Sequence, residues 1–194
     1  MRIFVALDLD EEIRRRIALY LQGLSGFAPE ARWAAAESLH VTLKFIGEQP
    51  EEQIPALHEA LASVQAKPIS LAFRGYGFFP TARAPRVFWL GIEANEDLPN
   101  LAAQVDTALA TLAIPREEHA FTPHLTLARS GSGAPRMRRE EKSISRFERL
   151  HKQLAAMPTP DFGTMTAREF FLYRSQLSPK GSRYTKLASF PLRG

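Results

Sequence analysis

Ser38-Leu-His-Val-Thr-Leu-Lys-Phe-Ile46 and His124-Leu-Thr-Leu-Ala-Arg129 are two segments in which apolar and polar residues alternate. A period of two is the mark of a half-buried strand. In the first segment it predicts that Leu39, Val41, Leu43 and Phe45 share an apolar face, with Phe45 in the core, while His40, Thr42 and Lys44 share the other. The second segment sets His124 beside Thr126 in the same way. A single His-x-Thr in a strand is common. Two copies, each followed by Leu, mark a weak internal duplication.

Outward from these strands, Arg2–Leu9 has the β-branched and aromatic content of a strand, and Asp10 stands where a helix cap would. Glu11–Leu24 follows as a helix with Ile13, Ile17, Leu21 and Leu24 at helical spacing. Further helices are predicted at Glu51–Ala66, Leu98–Leu112 and Ile144–Ala156, and strands at Ile69–Phe79, Arg86–Glu93, Glu169–Ser175 and Tyr184–Phe190. The pairs Phe78/Phe79 and Phe170/Phe171 read as core or hairpin packing. Strands separated by helices, with hairpin links, predict an α+β fold: two antiparallel or mixed sheets lining a central cleft, with helices on the outer faces. Each half of the chain carries a helix and strands around its His-x-Thr, so residues 1–194 are expected to form a single bilobal domain.

If the two strands face one another, two imidazoles and two hydroxyls converge on a volume suited to an anion with tetrahedral oxygens. Imidazoles with ordinary pKa near 6.5 divide acid and base work at neutral pH. Phosphodiester hydrolysis needs that division: one ring takes a proton from water and the other gives one to the departing oxygen. Thr42 and Thr126 can hydrogen-bond the non-bridging oxygens, and Arg129 can neutralise their charge. A zinc site on His40 and His124 is the competing reading. No carboxylate neighbours either motif and threonine is a poor third ligand, so neither a metal nor a cofactor is expected. His58, His119 and His151 lie in charged surroundings and read as solvated or structural.

Composition narrows the field. The chain has no cysteine, which removes disulfides, thiolate nucleophiles and cysteine-held metals. No apolar run approaches the roughly 18 residues of a spanning helix, and Asp8, Asp10, Glu11 and Glu12 follow the first strand, unlike a secretory signal. A cytoplasmic protein without membrane contact is expected. A net charge of +4 favours anionic partners, although solvated helix faces would give the same total. The densest basic stretch, 129–142, holds Arg129, Arg136, Arg138, Arg139 and Lys142 among Ser, Gly and Pro, diluted by Glu140 and Glu141. It reads as a loop able to track a phosphate backbone.

These motifs resemble the two-histidine (2H) phosphoesterase superfamily, and within it the RNA 2′,3′-cyclic phosphodiesterases, also called 2′-5′ RNA ligases. The resemblance runs through nearly the whole chain: the opening RIFVALDL, Trp33, the block Leu39–Gly47, Phe79-Pro80, Arg86–Gly91, Phe121–Arg129, and Tyr173–Pro179 through Leu192. It implies a bilobal duplicated fold and metal-free hydrolysis of RNA 2′,3′-cyclic phosphate ends to 2′-phosphomonoesters, with reversible 2′-5′ ligation of tRNA halves. By the same resemblance His40 is the general acid, His124 the general base, and Thr42, Thr126 and Arg129 hold the phosphate. Phe79 and Arg83 are the candidate nucleotide contacts, and the partner is an RNA end met by a monomer. Two alternatives stand beside this reading. One is a phosphodiesterase for a small cyclic nucleotide or 2′-5′ oligonucleotide; the other is a non-catalytic RNA-end-binding module.

Overall fold

The computed structural model describes residues 1–130, 147–178 and 181–193. Most of the basic stretch, 131–142, and the start of the last predicted helix, 144–146, lie outside the described residues. In chain order the elements are β1 (Arg2–Leu7), α1 (Glu11–Leu24), β2 (Arg32–Trp33), β3 (Val41–Glu48), α2 (Ile54–Ala62), β4 (Ile69–Phe79), β5 (Val87–Glu93) and α3 (Asp97–Ala110). They continue with β6 (His124–Arg129), α4 (147–155), β7 (Asp161–Ala167), β8 (Glu169–Ser178) and β9 (Gly181–Pro191).

The strands form two sheets, ordered β3-β1-β8-β9 and β2-β6-β5-β4-β7. Among the described residues every pairing is antiparallel. The α+β architecture is as the sequence predicts, but the duplication is not one of consecutive halves. β1 pairs with β8, so the first sheet joins the two ends of the chain, while the second is built mainly from its middle. The order of strands depends on which edges meet in space, and no local pattern carries that.

One apolar cluster joins both sheets to the helices. It includes Val5 and Val41 from the first sheet, Phe73 and Leu125 from the second, Ile17 of α1 and Val105 of α3. α1 buries Ile13, Ile17, Leu21 and Leu24 on one face, and Glu11 and Glu12 sit in its first turn, where negative charge complements the helix dipole. Asp10 holds the cap position, but its side chain makes no capping hydrogen bond. α2 is shorter than predicted. A 3-10 turn at Glu51–Gln53 precedes it, and the amides of Ser63 and Val64 close onto Ala60 and Leu61, tightening its last turn. No helix among the described residues is long and apolar enough to cross a membrane.

Candidate active site

Each His-x-Thr strand carries a β-bulge at the leucine that follows its threonine. On β3, Thr42 lies opposite Ala6 and Lys44 opposite Val5, leaving Leu43 without a partner. On β6, Thr126 lies opposite Trp89 and Ala128 opposite Phe88, leaving Leu127 unpaired. One extra residue inverts the alternation beyond it. The face of Phe45 is therefore the reverse of the one predicted. Phe45 lies opposite Phe4 on the same side as Thr42, and it is 52% exposed rather than core. Lys44 is the residue that turns inward. Arg129 is brought round in the same manner: five residues after His124, strict alternation would turn it away from the histidine, and the bulge returns it to the histidine's face.

His40, Thr42, His124, Thr126 and Arg129 line one cavity of about 990 Å³, together with Phe45, Phe79, Leu177 and Tyr184. The two histidines are anchored alike. His40 Nδ1 lies 2.7 Å from the Ser38 carbonyl and His124 Nδ1 lies 2.8 Å from the Thr122 carbonyl. A carbonyl oxygen only accepts, so each Nδ1 carries the proton and each Nε2 is left for the ligand.

Their surroundings differ. The His40 ring packs against Phe4 at 4.8 Å and edge-on to Tyr184 at 5.1 Å. Burial therefore lowers its pKa below the usual 6.5, with the Arg129 and Arg14 charges acting the same way and the Ser38 carbonyl and Asp8 against it. His124 meets Phe79 edge-on at 5.0 Å, and Phe79 in turn rests against Trp89 at 5.1 Å. The indole of Trp89 occupies the space that a side chain on Gly77 would need.

Two charged networks brace the cleft. Arg14 pairs with Asp8 and donates to the carbonyls of Ala36 at 2.6 Å and Leu39 at 3.2 Å, fixing the segment that leads into His40. Asp8 also accepts from Lys186 at 2.5 Å. Burial alone would raise the Asp8 pKa; the Lys186 hydrogen bond, the Leu9 amide and Arg14 outweigh it and hold the group low. Lys44, only 3% exposed, reaches Asp106 of α3 at 2.6 Å, the Pro115 carbonyl at 2.7 Å and Glu117 at 3.2 Å. It thus ties the first motif's strand to the segment approaching the second. A lone lysine in an alternating strand reads as solvated, so the sequence gives no sign of this role.

Among the other residues singled out, Arg83 lies exposed in the β4–β5 connection and does not line the cavity. His119 is exposed on the cavity wall, whereas His58 packs near Phe190 at 5.2 Å and His151 near Phe78 at 5.6 Å. Phe78, Phe170 and Phe171 are buried, Phe171 with the Lys186 ammonium 4.0 Å over its ring, while Phe79 reaches the cavity. Among the described residues no three of His, Asp and Glu gather as a metal would require.

Comparison with known proteins places these features in a family. The family model for the 2′-5′ RNA ligase superfamily matches residues 10–176. An RNA 2′,3′-cyclic phosphodiesterase of Archaeoglobus fulgidus is 34% identical, over 98% of this chain and 99% of that protein. One from Thermus thermophilus is 37% identical, over 100% of this chain and 91% of that protein. The crystal structure of E. coli LigT complexed with 3′-AMP superposes with a TM-score of 0.76 at 30% identity, covering 98% of this chain and 97% of that one.

Proposed function

Since the chain belongs to the 2′-5′ RNA ligase superfamily and is a cyclic phosphodiesterase, we propose that its cleft opens the 2′,3′-cyclic phosphate at an RNA end by paired histidine catalysis. The observation that carries the reading is the matched anchoring of His40 and His124, each with Nε2 left for the ligand, in one cavity with two threonines and an arginine.

Water attacks phosphorus while His124 Nε2 takes its proton. The bond from phosphorus to O3′ breaks, and His40 Nε2 gives its proton to that oxygen. The products are a 2′-phosphomonoester and a free 3′-hydroxyl. General acid and general base each contribute about 10²- to 10⁴-fold. Burial makes a protonated His40 a stronger acid than an exposed imidazolium, and the bound phosphate anion supplies the charge that keeps it protonated in the complex. Thr42 and Thr126 donate to the non-bridging oxygens and Arg129 balances their charge. Phe79 contacts the terminal nucleotide from its place beside His124. Run backward with a 5′-hydroxyl in place of water, the same steps form a 2′-5′ bond with the two histidine roles exchanged. The enzyme acts as a cytoplasmic monomer on RNA ends such as those of cleaved tRNA.

The test is incubation with an RNA bearing a 2′,3′-cyclic phosphate in excess chelator. A 2′-monoester is the expected product. A 3′-monoester, or turnover that returns only with added metal, would sink the scheme.

A further inference from the structure

We propose that Arg14 is the positioning residue of the general acid: by holding the carbonyls on either side of Ser38, it fixes the carbonyl from which the His40 ring hangs, so that His40 gains and loses its proton through Nε2 alone. The kinetic half of this rests on the phosphodiesterase reading above. Ala36–Ser38 is a 3-10 turn, closed by the Ser38 amide on the Ala35 carbonyl at 2.9 Å and the Leu39 amide on the Ala36 carbonyl at 3.3 Å. Arg14 Nη1 donates to the Ala36 carbonyl at 2.6 Å and to the Leu39 carbonyl at 3.2 Å. Between these two lies Ser38, whose carbonyl accepts the Nδ1 proton of His40 at 2.7 Å. The turn cannot roll and carry the Ser38 carbonyl away without breaking both contacts.

The guanidinium is itself held. Its Nη2 pairs with Asp8 Oδ1, which also accepts from the Leu9 amide at 2.8 Å, while Lys186 donates to Asp8 Oδ2 at 2.5 Å. Arg14, with its side chain 12% exposed, thus joins a carboxylate fixed on both oxygens to two carbonyls of the turn. That task suits a planar fork of donors, which a lysine ammonium on a flexible stem does not reproduce. His124 has no counterpart. Its Nδ1 meets the Thr122 carbonyl at 2.8 Å, but among the described residues no side chain from another element holds the carbonyls around it. The clamp therefore lies on the side that must deliver a proton to the departing oxygen, where a displacement of about 1 Å can cost about 10²-fold in rate.

Two readouts separate positioning from mere support. Long-range ¹H–¹⁵N correlation spectra, taken where both rings are neutral, report which ring nitrogen carries the proton. The wild-type chain is expected to show Nδ1–H on both His40 and His124. Arg14→Ala raises the Nε2–H share of His40 about fivefold, the worth of one ordinary hydrogen bond, and leaves His124 unchanged, which also reports an intact fold. Arg14→Lys keeps the charge without the fork and gives nearly the same spectrum as Arg14→Ala. On adenosine 2′,3′-cyclic phosphate both variants lower kcat by about 10²-fold, with KM within about twofold. Should Arg14→Ala fail to fold, Arg14→Lys decides alone. A wild-type His40 in the Nε2–H form, wild-type behaviour of Arg14→Lys, an equal change in both rings, or a loss of kcat without a change of tautomer would each overturn the clamp. No turnover by the wild-type chain overturns the phosphodiesterase reading, and the spectra still decide the clamp.

Discussion

The Phe79 ring stands edge-on to His124, 5.0 Å away at 87°, and so couples the candidate base to a stack that begins in the next strand pair. Behind Phe79 lies Trp89, and behind Trp89 the bare backbone of Gly77. Gly77→Ala would place a methyl inside the indole. The expected cost is about 1–3 kcal/mol, the usual range for overpacking, together with a fall in kcat as Phe79 and His124 shift. Urea unfolding and single-turnover kinetics check the two effects. Wild-type behaviour in both would show that the stack positions nothing.

Arg129 is exposed and sits at a strand end, so its loss should affect chemistry and leave stability alone. Arg129→Ala is expected to lower kcat/KM by about 10²-fold, in keeping with the loss of a charge-assisted contact that strengthens in the transition state. Arg129→Lys should recover only part, because a point charge cannot reproduce a planar fork. Melting temperatures within about 2 °C of wild type would confirm that the fold is untouched, since a shift of that size corresponds to no more than about 1 kcal/mol.

Lys44 and Asp106 give an asymmetric pair of variants. Asp106→Asn takes the nearest carboxylate from a buried ammonium, which keeps Glu117 and the Pro115 carbonyl, and should cost about 3 kcal/mol. Lys44→Met leaves an apolar side chain of similar length in the buried site, and Asp106, nearer the surface, can turn to water. It should cost less, about 1–2 kcal/mol. Chemical denaturation at neutral pH decides the order. The reverse order would mean that burial of Lys44 is not what sets the cost.

The depressed pKa of His40 makes stability depend on pH. The folded chain holds the His40 proton less tightly than the unfolded one, whose value is near 6.5. Between the folded value and 6.5 the unfolded state binds more protons, so stability climbs with rising pH through this window and levels off above it. His40→Gln should remove that slope. Asp8 adds a separate loss at lower pH, as its carboxylate is protonated below 3.8. Unfolding free energies between about pH 5 and 8 isolate the histidine contribution, since ordinary carboxylates titrate below that range. An unchanged slope in His40→Gln would show that another group is responsible.

The His-x-Thr faces were legible because period-two alternation is a property of a strand by itself. Bulges are not, because an unpaired residue exists only relative to a partner strand. Phe45 therefore read as core and Lys44 as sharing the face of His40 and Thr42, the inverse of what β1 imposes on them. β7 and β2 escaped notice for different reasons. Asp161–Ala167 is polar and broken by Gly163 at φ 91°, and Arg32–Trp33 is too short to alternate. The interleaving of the sheets is a matter of long-range pairing between β1 and β8. Nothing in the local pattern of α1 singles out Arg14, although its guanidinium reaches the carbonyls of Ala36 and Leu39 just before His40.

The paired histidines are tested most directly by turnover of a 2′,3′-cyclic-phosphate-ended RNA in excess chelator, comparing wild type, His40→Gln, His124→Gln and the double variant. Each single change is expected to lower kcat by at least about 10²-fold, and the double to lose little more than the worse single, because the two rings act as a unit. Either single variant retaining activity within about tenfold of wild type, less than one general acid or base contributes, would contradict the account.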